Sequence, residues 1–260
     1  MNWIEQAEVL VKETGDWICK ERKSFSREMI EMKGKNDLVS YVDRTSEERL
    51  ISGLSKILPG SGFIGEESGT SNRGRQNWII DPLDGTTNYI HGVPVYCVSV
   101  ALEEEGQITL GFVYDPERNE MFRAQKGQGA TLNGTRIQVS STPLLKDALI
   151  ATGFPYTFFR HMDNYLLSFR EILEKSRGIR RPGAAAIDLA WTACGRFDGF
   201  FESHLGPWDV AAGALLVQEA GGQVTTFGQA KDFVFGKEIL TSNGLIHQEL
   251  LEIVKKYPVT

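Results

Sequence analysis

Cysteine is scarce in this chain of 260 residues: Cys19, Cys97 and Cys194 are odd in number and form no Cys-x-x-Cys pair. That excludes a disulfide scaffold and a structural zinc knot, and it suits a reducing compartment. The four histidines, His91, His161, His204 and His247, show no metal-ligand spacing. No stretch approaches about 18 apolar residues without a charge, so no membrane-spanning helix is expected. Basic charge is in deficit, with 28 Lys and Arg against 34 Asp and Glu and a formal net charge of −6. A sequence pI near 5.4 gives no basic footprint for phosphate backbones, so a nucleic-acid partner is not expected from charge. The start, Met1-Asn2-Trp3-Ile4-Glu5-Gln6, carries acid early and lacks the apolar core of a signal peptide. A cytoplasmic location is the expectation.

What is present is ordinary for a globular chain: 41% hydrophobic and 24% charged residues, with 27 Gly against 9 Pro implying many tight turns. Area scaling at this mass buries roughly 73% of the extended-chain surface, enough for one large core without staples. A single unit over 1–260 is expected, with two packed lobes, about 1–145 and 146–260.

Hydrophobic spacing predicts a helix over 2–22, with Ile4, Ala7, Val11 and Ile18 on one face, and a second over about 46–58. Thr45 and Glu48 read as a capping pair for the second. Trp78-Ile79-Ile80 reads as a short buried strand running into an acidic turn. Val95–Leu102 and Gln107–Tyr114 read as a hairpin whose connection, Glu103-Glu104-Glu105-Gly106, is a solvated turn. The second half alternates strands (148–152 and 197–202) with helices (164–173, 184–194, 207–220 and 246–256). Mixed α/β layers follow.

The richest segment is Asp81-Pro82-Leu83-Asp84-Gly85-Thr86-Thr87-Asn88. The strand delivers Asp81 to its end, Pro82 forces a turn, and a second carboxylate arrives three positions on. Two carboxylates and the Leu83 carbonyl can converge on one point, an oxygen set that suits Mg²⁺ far better than zinc. Gly85-Thr86-Thr87 presents free N–H groups at a helix start, a seat for a phosphate oxygen. An Asx turn with a capped helix explains the same residues without a ligand. Gly65-Glu66-Glu67-Ser68 at a strand end is either solvated surface or a metal contact. Asp209, in Trp208-Asp209-Val210, either serves the helix dipole or joins the other acids. Asp43 reads equally well as a simple cap. Arg180 and Arg181 read equally well as a basic pair on an exposed turn or as groups facing an anionic substrate or a partner subunit. His91 is the histidine placed nearest the site.

Taken in order, Glu66, Asp81 through Asn88, and Trp208-Asp209 resemble the inositol monophosphatase family of Mg²⁺-dependent, Li⁺-sensitive phosphatases. Asp37-Leu38-Val39 with Asp43, Trp78-Ile79-Ile80 and Glu219-Ala220-Gly221-Gly222 extend the resemblance over nearly the whole chain. It implies an α-β-α-β-α layered sandwich of the sugar-phosphatase type, assembled as a homodimer. Glu66, Asp81 and the Leu83 carbonyl would hold one Mg²⁺; Asp81, Asp84 and Asp209 would hold a second; a third would sit near Glu66. Glu66, Thr86 and Asp43 would be catalytic, with Thr86 and Asp43 orienting and helping deprotonate a metal-activated water. Leu83, Asp84, Gly85, Thr86, Gly183, Ala184, Ala185, Glu202 and Asp209 would contact substrate. Ala184 stands where many relatives carry Thr or Ser, and Met32 and Lys33 compete for the position of a lysine that some relatives place near the third ion. The implied substrate is a small phosphate monoester with myo-inositol 1-phosphate in the lead. Alternatives are the 2′-phosphate of NADP, 3′-phosphoadenosine 5′-phosphate and fructose 1,6-bisphosphate. A regulatory binding protein that keeps the fold is the alternative of a different class.

Overall fold

Asn2 and Glu5 satisfy one another's backbone at the first helix start: Asn2 Oδ1 accepts the Glu5 N–H at 2.9 Å, and Glu5 Oε2 accepts the Asn2 N–H at 3.0 Å. Helix α1 (Trp3–Glu21) follows and buries Ala7, Val11 and Ile18. The computed structural model describes residues 1–23, 30–32, 38–155, 160–229 and 232–259; Lys33 and Asp37 lie outside them. A small antiparallel pair, β1 (Ile30–Met32) and β2 (Leu38–Ser40), feeds directly into α2 (Tyr41–Ile57). That helix begins five residues earlier than its spacing suggests. Thr45 and Glu48 therefore lie inside it, and Asp43 supplies the acid of its first turn.

The larger sheet takes β3 (Gly62–Gly65), β4 (Gly69–Ser71), β5 (Gln76–Asp84), β6 (Cys97–Glu104), β7 (Gln107–Asp115), β8 (Glu120–Gln125), β9 (Gly129–Leu132) and β10 (Thr135–Arg136). Their order is β10-β9-β8-β7-β6-β5-β3-β4, antiparallel except where β3 runs parallel to β5. The hairpin after β6 turns through Glu105 and Gly106, both at positive φ. Glu103 is not in solvent as expected: it is buried, accepts Asn77 Nδ2 at 2.8 Å, and pairs with Arg73 at 3.7 Å. Helix α3 (Thr86–His91) sits between β5 and β6.

The smaller sheet, in order β12-β11-β13-β15-β14, takes β11 (Leu149–Thr152), β12 (Gly178–Arg180), β13 (Gly199–Ser203), β14 (Gln223–Thr225) and β15 (Glu238–Ser242). A short 3-10 turn (Leu145–Asp147) precedes β11, and helices α4 (Met162–Lys175), α5 (Ala185–Ala193), α6 (Pro207–Glu219) and α7 (His247–Lys256) complete the described elements.

Burial sorts these into five layers. α1 and α2 pack Ala7, Val11, Leu50 and Leu54 against Trp78, Ile80, Val98, Val100 and Phe112 on the outer face of the larger sheet. α5 and α6 fill the space between the sheets, against Ile79, Cys97 and Val113 on one side and Phe200 and Ile239 on the other. Tyr165 and Ile172 of α4 and Leu250 and Val254 of α7 cover the far face of the smaller sheet. α6 is apolar all round, with Val210 through Val217 buried, as a helix between two sheets must be. Gly213 permits this: a β-carbon there would lie 2.4 Å from Leu189 Cβ of α5. The layering is the α-β-α-β-α sandwich. No helix among the described residues is long and apolar enough to cross a membrane.

Candidate active site

The two aspartates of β5 are three positions apart, and in a regular strand they would point to opposite faces. The strand does not stop at Asp81 as the sequence suggests. It continues to Asp84 with a bulge: Asp81 pairs with Ser99, Asp84 pairs with Cys97, and Pro82 and Leu83 stand opposite Val98 alone. Pro82 has no N–H to give the ladder, which places the irregularity there. The extra residue re-aims Asp84 to the side of Asp81, the side that packs against α5 and α6. Leu83 N–H donates to Asp81 Oδ1 at 3.0 Å, so the Asx turn is present and coexists with the convergence.

Helix starts complete the arrangement. Asp209, in the first turn of α6, accepts the Gly206 N–H at 2.6 Å, and Ser99 Oγ donates to the Trp208 carbonyl at 3.0 Å, fixing that turn to β6. The first turn of α5 reaches Asp84, whose Oδ2 accepts the Ala186 N–H at 2.7 Å and lies 3.7 Å from the Cys97 thiol. Carboxylate oxygens of Asp81, Asp84 and Asp209 thus come within 4.8 Å of one another. Asp209 is at once a helix-start acid and a member of the cluster.

Burial pushes Asp81 well above the usual carboxylate range, and Glu66, Asp84 and Asp209 push it further. Asp209 is raised well for the same first reason, with Asp84 adding to it. Asp84 is pushed up to about 6 by burial, against the pull of the α5 amides. Two buried carboxylates and the half-buried Asp209, mutually repelling, form an oxygen-only donor set that fits a hard divalent cation such as Mg²⁺.

Glu66 leaves the end of β3, its N–H bonded to the Ile80 carbonyl at 3.2 Å. Thr86 Oγ1 lies 3.1 Å from Asp43 Oδ1 and 3.0 Å from the Leu83 carbonyl, linking α2, β5 and α3. Gly85 makes the join between β5 and α3 possible: its φ is +93°, and a β-carbon would stand 2.9 Å from the Val95 carbonyl and 3.2 Å from Ala184 Cβ.

A cavity of about 220 Å³ opens beside the cluster, lined among others by Glu66, Asp84, Gly183, Ala184, Ala185, Glu202, His204 and Asp209. Asp43, Asp81, Leu83, Gly85 and Thr86 are not part of that lining. Asp81 is joined to the lining through the cluster, and Thr86 and Asp43 are joined to β5 through the Leu83 carbonyl. Glu202 is pushed up to about 8 by burial, offset in part by Arg181. Its carboxyl packs on Gly153, where a β-carbon would meet it at 2.1 Å.

Four side chains escaped the sequence reading. His91 is exposed at the end of α3 and does not line the cavity, whereas His204, left-handed at φ +66°, does. Glu47 is buried on α2, and its Oε1 accepts the Glu67 N–H at 3.3 Å, bracing the loop that carries Glu66. Cys97 faces Asp84 by strand register alone. Asp188 of α5 is buried and raised well above the usual range by burial and by Glu202. An acid in the midst of an apolar helix, Ala-Ala-Ala-Ile-Asp-Leu-Ala, was the signal available for it.

Comparison with known proteins gives a consistent result. Residues 2–258 match the model of the inositol monophosphatase family. An inositol-1-monophosphatase of Mesorhizobium japonicum is 42% identical over 87% of this chain and 86% of its own. The Nus factor SuhB of Pseudomonas aeruginosa is 44% identical, covering 86% of this chain and 85% of that one. A protein of Aquifex aeolicus named fructose-1,6-bisphosphatase/inositol-1-monophosphatase is 39% identical over 98% and 96%. Among solved structures, the extragenic suppressor protein suhB from Bartonella henselae superposes with a TM-score of 0.90 at 40% identity, over 95% of this chain and 96% of that one.

Proposed function

The chain belongs to the inositol monophosphatase family, and from that premise we propose that it hydrolyses a small phosphate monoester with Mg²⁺, myo-inositol 1-phosphate being the lead substrate. The observation that carries the reading is the convergence of Asp81, Asp84 and Asp209 within 4.8 Å beside the cavity. Asp81, Asp84 and Asp209, with Glu66 and the Leu83 carbonyl, are the residues that would hold two or three ions. Divalent ions held by these residues would neutralise phosphate charge and acidify a water, lowering the barrier of a reaction this slow without a catalyst.

The chain's own groups do the rest. The Thr86 hydroxyl carries one proton; when it donates to Asp43, its lone pair faces outward and orients the attacking water. Asp43, buried at the start of α2, is the acceptor at the end of that relay. The N–H groups of Gly85 and Thr86 hold the phosphate oxygens. Glu202, with Gly183, Ala184 and Ala185, receives the hydroxylated part; held up to about 8, Glu202 keeps its proton at neutral pH and donates to a hydroxyl oxygen. Thr86→Ala is expected to lower kcat by about a hundredfold, the scale of a lost proton relay, with Mg²⁺ affinity little changed. Calorimetric Mg²⁺ titration beside steady-state kinetics checks this; equal loss of metal binding removes Thr86 from the water-orienting role.

Substrate choice is tested by phosphate release from myo-inositol 1-phosphate, NADP, 3′-phosphoadenosine 5′-phosphate and fructose 1,6-bisphosphate, with and without Mg²⁺ and Li⁺. Myo-inositol 1-phosphate is expected to release phosphate with Mg²⁺ and to be inhibited by Li⁺; release from none of the four sinks the reading. A second reading draws on the name of the Pseudomonas aeruginosa relative, a Nus factor. A binding role of that kind would survive in a catalytically inactive protein, and pull-down with such a variant separates it from turnover.

A further inference from the structure

Arg180 and Arg181 end β12 as an adjacent pair, and the structure separates them. Arg180 Nη1 donates to the Ile179 carbonyl at 3.0 Å, turning back along its own strand. Arg181, exposed at the rim, lines the active-site cavity. The turn after it is fixed from the catalytic side: Asn88 Nδ2 of α3 donates to the carbonyls of Pro182 at 2.9 Å and Gly183 at 3.3 Å. Gly183 has a φ of +97°, and a β-carbon there would stand 2.7 Å from Arg181 Nη1. The guanidinium therefore folds over this glycine, and glycine is what lets it do so.

The charged lining is otherwise acidic: Glu66, Asp84, Glu202 and Asp209. Arg181 is the one Lys or Arg among the described lining residues. Its charge is felt deep in the pocket, opposing the upward push that burial exerts on Asp84, Glu202 and Asp188. A hydroxylated carbon skeleton is served by Glu202 and the backbone of 183–185 and has no need of a guanidinium. A planar fork of donors at the rim matches an oxyanion, which it grips through two parallel bonds. The ester phosphate belongs to the acidic cluster and its cations, so an anion at the rim must be a different group of the same molecule.

We propose that Arg181 is a specificity-determining residue that holds a second anionic group of the substrate, so that the site takes phosphate monoesters carrying a further phosphate or carboxylate beside neutral polyol monophosphates. This rests on the phosphatase reading above and widens its substrate class.

The test compares wild type, Arg181→Gln and Arg181→Lys on fructose 1,6-bisphosphate and myo-inositol 1-phosphate. In Arg181→Gln the KM for the bisphosphate is expected to rise about ten- to hundredfold, the scale of a lost charge-assisted hydrogen bond, and that for the monophosphate by less than about threefold. Arg181→Lys should recover part of the difference, because it keeps the charge and loses the fork. Equal loss on both compounds, with or without a change of mass by light scattering, overturns the proposal, as does no loss on either. Turnover with an unaltered ratio counts against Arg181 alone. Should wild type release phosphate from neither compound, the phosphatase reading falls, and calorimetric affinities of the Mg²⁺-loaded protein for the same two compounds supply the ratio without catalysis.

Discussion

Asp84→Asn is expected to lower Mg²⁺-dependent phosphate release by roughly three orders of magnitude, the effect of removing several kcal/mol of charge stabilisation, and to raise the melting temperature of the metal-free protein. Both effects come from one charge. Asn keeps the shape of Asp84, and its carbonyl oxygen still accepts the Ala186 N–H that now meets Oδ2 at 2.7 Å. What it loses is the negative charge toward Asp81 and Asp209, whose carboxylates lie within 4.8 Å. Burial lifts Asp84 from 3.8 to about 6 against the pull of the α5 amides and Arg181, so its charge above pH 6 destabilises the metal-free fold, by on the order of 2–3 kcal/mol. Removing that charge should raise the midpoint by a few degrees for a chain of this size. Thermal unfolding in chelator, read beside phosphate release in Mg²⁺, checks the two halves separately. Undiminished turnover sinks the metal assignment; a lower midpoint sinks the account of repulsion.

The parts of this site that the sequence exposes are those carried by contiguous chain. Asp81 through Thr86 form one local motif, and Trp208-Asp209 another, so the chemistry of each can be read residue by residue. The Ala-rich stretch of α5 and the glycine-stopped α6 are equally legible, because composition alone tells a helix buried on all sides. Register is what remains hidden. Nothing local announces that Pro82 and Leu83 oppose Val98 alone, yet that bulge is what turns Asp84 toward Asp81. Cys97 and Glu103 take their places from the same pairing, one against Asp84 and the other beneath Asn77. The early start of α2 belongs to this class as well: Thr45 and Glu48 are a plausible cap until β2 is seen to run straight into the helix. Choosing His91 over His204 fails for a related reason, since nearness along the chain to Asn88 says nothing about which strand end opens on the cavity.

Those hidden placements also determine how stability should vary with pH. Between pH 6.5 and 8 the metal-free protein is expected to lose stability as pH rises, by about 2 kcal/mol from Glu202 alone. The sign follows from proton counting. Glu202 is lifted from 4.5 to about 8 by burial, so across this interval the folded state holds a proton that the unfolded state has released. Stability from that proton is present below 4.5 and is lost as pH rises through 8. Asp81, Asp209 and Asp188, each raised well above the usual range, act in the same direction. His247 acts in the opposite one: burial lowers it from 6.5 to about 4, so its contribution grows with pH over that range and is complete by 6.5. Above 6.5 the acids act without that opposition, which is why this interval is the informative one. Glu202→Gln should flatten the fall in chelator, since the amide does not titrate. Excess Mg²⁺ should offset the share due to Asp81, Asp84 and Asp209, because an ion that needs these carboxylates deprotonated binds better as pH rises. Denaturant unfolding at several pH values, in chelator and in Mg²⁺, resolves the two contributions. A metal-free protein that gains stability from pH 6.5 to 8 would mean that the acids of this pocket are charged in the folded state without an ion to hold them together.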